Sequence, residues 1–260
     1  MVLAASYGQL MVTKRTSVRA GSQESATASI RYEDDSVRSV EFSQLRRGSF
    51  DGSVPWRQVR SAKGHKHHPG EYASATTRGL VVYESRLELA RLLLADFDPQ
   101  VVGIFAQPCR LRARVGGRWR LHVPDFLLVL GDGNVRVVNV KPADRLLDPK
   151  IAEALAWPGD LVEGHGWQYE IWSGADPVLL ANVRFLAAYR RAGVVPDEDI
   201  AQAWEVVQDG DPLTVAERRL AAGRPVEDVR PAVLALVWSG RLSVDLSRPI
   251  DGDSVLRRAA

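Results

Sequence analysis

The stretch 124–141 constrains the fold more than any other. Phe126–Leu130 is apolar at five consecutive positions, Gly131-Asp132-Gly133-Asn134 is a hairpin turn, and Val135–Val140 is a returning strand. A strand with no polar position has no face to offer water, so this one is expected in the middle of a sheet covered on both sides. Covering both sides takes helices or a second sheet, which predicts a mixed α/β unit. The chain has the material for it. Its 260 residues, 45% hydrophobic and 25% charged, allow one large domain or two small ones, each with its own core, and exclude wholesale disorder.

The rest of the chain is organised around that hairpin. Residues 1–27 lack sustained periodicity and are expected to form a disordered tail. Residues 28–32 and 37–42 alternate around Glu33-Asp34-Asp35 as a small hairpin, and 43–77, punctuated by Gly and Pro, reads as loop. Residues 28–78 thus form an N-terminal hairpin and lead-in loop. A helix opening at Ser85, strands at 101–106, 110–115 and 118–123, a helix at 148–156, a strand at 168–172 and a helix at 177–191 complete a unit over 79–192. After a linker at 193–197 come three helical patterns, 197–208, 213–222 and 227–239, the second with a Thr214-x-x-Glu217 capping box. Alternation at 242–246 and a last strand at 254–257 add a two-stranded ribbon. Three short helices with such a ribbon are the pattern of a winged helix, over 197–260.

No apolar run approaches a membrane span, and the apolar start is not followed by a cleavage site, so a soluble cytoplasmic protein is expected. The single cysteine, Cys109, excludes an internal disulfide and a Cys-rich zinc site. The net charge of +2 is an average. Residues 1–70 carry +5, residues 71–175 carry −1 and residues 176–260 carry −2. A free-standing nucleic-acid enzyme would be expected to carry a stronger positive field, so this chain is expected to work as a subunit.

The chemistry lies at the open end of the central hairpin. Asp125 begins one strand, and Asn139 and Lys141, two apart and so on one face, end its partner. Oxygen ligands beside a lysine suit phosphodiester hydrolysis assisted by a hard cation such as Mg²⁺, with the lysine orienting water or offsetting the developing charge.

These residues, Pro124-Asp125 followed by Asn139-x-Lys141, resemble the PD-(D/E)xK nucleases, with Asn in place of the usual acid. The context is similar to the TnsA-like transposon endonucleases in order and spacing: Tyr83-Glu84-Ser85-Arg86-Leu87-Glu88-Leu89, Asp98-Pro99-x-Val101, Ala106-Gln107-Pro108 and His122-Val123-Pro124-Asp125-Phe126. The lead-in Pro55-Trp56-Arg57-x-x-Arg60-Ser61 with Pro69-Gly70-x-Tyr72 looks like that of actinobacterial members. The resemblance covers roughly residues 55–190. It implies a restriction-endonuclease-like core and a Mg²⁺-dependent DNA endonuclease, Mn²⁺ being able to substitute. Its implied partners are transposon-end DNA, a DDE-type transposase subunit and an AAA+ ATPase regulator, and its implied location is the bacterial nucleoid. It further implies that a helix glutamate joins Asp125 and Asn139 at the metal. Glu88 is the first match and Glu84 the second, with Lys141 completing the catalytic set and Gln107 in support.

Alternatives stay open at several of these positions. Ser85-x-x-Glu88 is also a capping box, and one rotamer cannot serve both roles. Asn139 is compatible with a tolerated variant, a natural pseudo-nuclease or an engineered trap. A restriction or repair nuclease, or an inactive DNA- or protein-binding module, is compatible with the same hairpin. Arg57, Arg60, Lys63 and Lys66 are expected DNA contacts or else a solvated loop. His65-x-His67-His68 lacks the second ligand pair that zinc requires. The seven tryptophans lack stacking spacing and read as core or interface. Arg218, Arg219, Arg230 and Arg241 fit DNA or protein docking alike.

Overall fold

The computed structural model describes residues 26–57 and 68–259. The expected tail therefore falls outside the described residues, except for its last two positions. The elements run β1 (Thr27–Tyr32), β2 (Val37–Glu41), β3 (Ser53–Val54), β4 (Gly70–Ser74), β5 (Gly79–Tyr83), α1 (Arg86–Phe97), β6 (Val101–Ala106), β7 (Arg110–Val115), β8 (Arg118–His122), β9 (Phe126–Leu130), β10 (Val135–Val140), α2 (Pro149–Gly164), β11 (Gln168–Trp172), α3 (Pro177–Leu186), α4 (Asp197–Val206), α5 (Leu213–Ala221), α6 (Val226–Trp238), β12 (Leu242–Ser243) and β13 (Arg257–Arg258). Short 3-10 turns occupy 42–44, 47–50, 143–147 and 187–189. The protein is mixed α/β, as its central hairpin requires.

The described residues divide into two compact units. One holds the chain up to Asp96 together with Gln100–Gly174. The other holds Phe97–Pro99 and the residues from Ala175 onward.

The first unit holds two larger sheets and a separate two-stranded pair, β4 with β5. One has the order β11-β10-β9-β6, with β10 and β11 parallel and the other pairs antiparallel. All five residues of β9 are buried, so the apolar run is covered on both faces as expected. Leu127, Val129, Val135 and Val137 face a core shared with Ala28, Ile30, Leu111 and Ala113 of the second sheet and Leu161 and Val162 of α2. That second sheet has the order β2-β1-β7-β8, with β3 also pairing with β1. On the opposite face of the first sheet, α1 is tied down by a bidentate ion pair from Arg91 to Glu170 of β11, at 2.9 Å for both bonds. The neighbouring Tyr169 points the other way, against α2.

Two readings of this unit are corrected. The loop expected over 43–77 contains β3 and β4, and β4 pairs with β5 along its whole length. The turn between them is held from outside. The buried carboxylate of Asp96 accepts from the Tyr72 hydroxyl, the Ser74 hydroxyl and the backbone N–H groups of Ala75 and Thr76, at 2.6–3.0 Å. A partner twenty or more residues away supplies what local sequence does not. The second helix was expected to end at 156 and continues to Gly164, through Pro158. Trp157-Pro158-Gly159 reads as a stop, yet Gly159 lies where α2 crosses the Tyr169 ring, and close packing there holds the helix on course.

The second unit contains α3, the three helices α4–α6 and a two-stranded ribbon, β12 with β13. Glu217 does not cap α5. It is buried, 1% exposed, and takes a bidentate ion pair from Arg230, while the Thr214 hydroxyl donates to the Gly252 carbonyl. The helix starts after Pro212 with no side-chain cap. The ribbon is shorter than the alternation implies because Asn182 takes the Leu246 and Arg248 carbonyls through its amide nitrogen, at 3.0 and 2.7 Å. Those carbonyls are then engaged away from a ladder.

Candidate active site

Asp125 sits one residue before β9, at the open end of the β9–β10 hairpin. Its N–H donates to the Val138 carbonyl, its carbonyl accepts from Gln107, and its Oδ2 accepts from the Val140 N–H at 2.6 Å. Both backbone and side chain are thus fixed by the strand ends on either side. Among the described residues Oδ1 has no hydrogen-bond partner. Burial pushes the Asp125 carboxyl up to about 6. The Val140 hydrogen bond opposes the shift, Glu88 and Glu84 add to it, and Lys141 draws it back. Hydrogen bonds tie the same groups together, although they come from positions 84 to 141: Gln107 bonds both Asp125 and Glu84, the Glu84 N–H bonds Glu88, and Lys141 follows Val140, whose N–H holds Asp125.

Glu88 takes the capping role. Its Oε1 accepts from the Ser85 hydroxyl at 2.9 Å, its Oε2 from the Glu84 N–H at 2.7 Å, and its own N–H donates to the Ser85 oxygen. Burial also raises its carboxyl, and the charge of Lys141 acts against that rise. In this rotamer both Glu88 oxygens are engaged. Glu84 is more open: Oε1 accepts from Gln107 Nε2 at 2.8 Å and Oε2 pairs with the exposed Arg57 at 3.4 Å.

Gln107 is the hinge of the arrangement. It is buried, with φ +46, in the left-handed region that side chains rarely adopt. Four hydrogen bonds hold it there. Its N–H donates to Asp125, its carbonyl accepts from Trp56, its Oε1 accepts from the Arg57 N–H, and its Nε2 donates to Glu84. The lead-in segment and the hairpin are thereby joined through one side chain.

Asn139 shares the hairpin face but is 1% exposed and fully engaged. Its Oδ1 accepts from His122 Nε2 at 2.7 Å, and its Nδ2 donates to the Tyr169 hydroxyl at 2.9 Å, which in turn donates to the Leu155 carbonyl at 2.7 Å. Because Tyr169 gives its proton to Leu155, position 139 must face it with a hydrogen-bond donor, which the Asn139 amide supplies. His122 is the Nε2–H tautomer, and burial lowers its pKa to about 4 against the Asn139 hydrogen bond, with Lys141 and Arg57 lowering it further. Neither His122 nor Tyr169 was among the residues expected at this site. His122 opens the motif that contains Asp125, which is the one signal that could have found it.

Of the expected DNA contacts, Arg57 is exposed and described, whereas Arg60, Lys63 and Lys66 lie outside the described residues, as do His65 and His67.

The donor set fits a hard cation in kind: carboxylate oxygens, an unshared oxygen on Asp125, and mutual repulsion that a divalent charge would relieve. Among the described residues no three His, Cys, Asp or Glu side chains form a ready-made metal cage. Mg²⁺ commonly sits on one or two carboxylates completed by water and substrate phosphate. Asp125 with one of Glu84 and Glu88 supplies that number. No family model matches this chain, and no curated protein matches it.

Proposed function

We propose that the chain is a divalent-cation-dependent DNA endonuclease with a PD-(D/E)xK-type core, acting as the TnsA-like subunit of a heteromeric transposase. The observation that carries this reading is the meeting at one hairpin end of Asp125, held by the Val140 N–H next to Lys141, with Glu84 and Glu88, tied to it through Gln107 and the Glu84 N–H. Asp125 would hold Mg²⁺, or Mn²⁺ in its place, through its unshared oxygen, with Glu84 or a re-oriented Glu88 as the second acid. The chemistry such a cation supplies is a lowered pKa for the attacking water and neutralised charge on the phosphodiester. Lys141 contributes a fixed positive charge against the same phosphate. Gln107 positions Glu84, and the Asn139–His122–Tyr169 network positions the end of β10 from beneath. In the second unit, α4–α6 with the β12–β13 ribbon are read as a winged-helix-like module. The small net charge favours DNA held jointly with a DDE-type transposase and an AAA+ ATPase.

One observation favours a second reading, an inactive DNA- or protein-binding module. Asn139, where the family pattern has an acid, is buried with both polar atoms engaged inside the protein. Nicking of supercoiled plasmid separates the two. Low, Mn²⁺- or Mg²⁺-dependent nicking that disappears in Asp125→Ala and Lys141→Ala and rises in Asn139→Asp is expected. No loss in Lys141→Ala together with no gain in Asn139→Asp overturns the assignment.

A further inference from the structure

We infer that the solvent face of the sheet containing β7 and β8 is a DNA-backbone contact surface leading to the hairpin site, with Arg110, Arg112 and Arg114 as its phosphate contacts. The inference rests on reading DNA as the substrate. In β7 these arginines alternate with buried Leu111 and Ala113, so all three point to the exposed face. The register sets Leu121 opposite Arg112 and Trp119 opposite Arg114 on β8. On the other side, Thr27 and Ser29 of β1 stand opposite Arg112 and Arg110.

Three features support this reading. First, none of Arg110, Arg112 and Arg114 pairs with a carboxylate among the described residues, a state they share with other exposed arginines such as Arg38 and Arg118, and the acid on their face, Glu41, is two strands away from Arg112. Arg114 Nε donates to the Gly117 carbonyl at 3.3 Å. Second, two of them lie over indole rings. The Arg112 guanidinium lies 3.9 Å over Trp119 and that of Arg110 lies 4.5 Å over Trp56. A guanidinium held to a ring face by cation–π attraction keeps its N–H donors for phosphate. Third, large apolar groups stay in water beside them, Trp119 at 51% and Leu121 at 61% exposure. A basic surface interleaved with an exposed aromatic suits a nucleic-acid strand.

The spacing and position fit the same partner. Alternate residues in a strand are about 6.7 Å apart, comparable with neighbouring phosphates along one DNA strand. The row also runs into the site. Arg110 stacks on Trp56, whose N–H bonds the Gln107 carbonyl, and Gln107 holds Glu84. At its other edge β8 ends in His122, which holds Asn139.

Fluorescence anisotropy of a labelled 30-base-pair duplex in EDTA tests this with the full chain. The combined Arg110→Ala, Arg112→Ala, Arg114→Ala variant is expected to bind at least tenfold more weakly at low salt. Its slope of log affinity against log salt is expected to be shallower by about 2.7, the value for three lost phosphate contacts. The combined Arg→Lys variant, which keeps the charge, is expected to keep the slope. Unchanged affinity and slope in the alanine variant overturn the inference, as does an acidic peptide of equal charge competing as well as the duplex. Absence of duplex binding by the wild type overturns it too. Failure of the nuclease reading looks different: the wild type would not nick plasmid, while duplex binding would still be lost in the alanine variant.

Discussion

At the scale of single residues, Asp125 and His122 pull the protein's pH dependence in opposite directions. Asp125 titrates near 6 in the folded state against 3.8 when unfolded, so the native protein holds its proton more tightly. Its contribution to stability is present below pH ~4 and is lost as pH rises to about 6. His122 titrates near 4 against 6.5, so the native protein resists protonation, and stability is lost as pH falls through the same range. The two largely cancel in the wild type. Asp125→Asn removes one side of the balance. Urea unfolding of that variant is expected to gain stability steadily from pH 4 to 6.5, by on the order of 3 kcal/mol, while the wild type changes much less. A wild-type curve as steep as the variant's would contradict these two shifts. Position 139 supports a sharper expectation. An Asp there places a carboxylate oxygen against the Tyr169 oxygen, whose proton is committed to Leu155, in a site with almost no solvent access. Asn139→Asp is therefore expected to lose about 2–4 kcal/mol of stability in EDTA and to regain part of it in millimolar Mn²⁺. Equal stability with and without the cation would separate residue 139 from any metal.

At the scale of elements, what was legible in the sequence depended on how far away the deciding partner lies. The β9–β10 hairpin and most strands of the first unit carry their own signals in alternation, apolar runs and turn residues. The Ser85–Glu88 capping box was legible as well, and it is the reason Glu88 meets its own helix start instead of standing free beside Asp125. Elements decided by remote groups were not legible. The carboxylate of Asp96 organises the β4–β5 turn, Asn182 shortens the C-terminal ribbon, and Arg230 takes Glu217 away from capping. None of these pairings leaves a trace in local periodicity. At the candidate site, the placement of Asp125 and Lys141 at one hairpin end followed from strand and turn spacing, while Glu84 and Glu88 were named only through the family resemblance. The network around Asn139 was not legible, since Tyr169 comes from β11, thirty residues on. Helix α2 gives a test of this cross-element packing. Gly→Ala inside a helix ordinarily stabilises by nearly 1 kcal/mol. At Gly159 the added Cβ would stand 2.9 and 3.0 Å from two carbons of the Tyr169 ring, and the hydroxyl of that ring is held at both ends. Gly159→Ala is therefore expected to destabilise by about 1–3 kcal/mol, and a rise in Tm would contradict the packing described.

At the scale of the whole molecule, the near-neutral charge combines regions of different character. An acid cluster gathers at one hairpin end of the first unit, and a row of arginines without acid partners among the described residues lines the exposed face of its second sheet. In the second unit Arg219, Arg230, Arg257 and Arg258 are tied to acids and carbonyls. The alternation Arg110-Leu111-Arg112-Ala113-Arg114 was present in the sequence, but a charge sum over 71–175 hides it, because that segment also carries the acids of the site. The proposed affinities for DNA and for a cation fall on different surfaces of one unit and can be measured separately. The central proposal is that Asp125 anchors a divalent cation, and calorimetric titration of Mn²⁺ into the 260-residue chain at pH 7.5 addresses it without partner proteins or DNA cleavage. Saturable binding to the wild type that is abolished in Asp125→Ala and retained in Arg112→Ala is the expected result; no binding, or binding that survives loss of Asp125 unchanged, would contradict it.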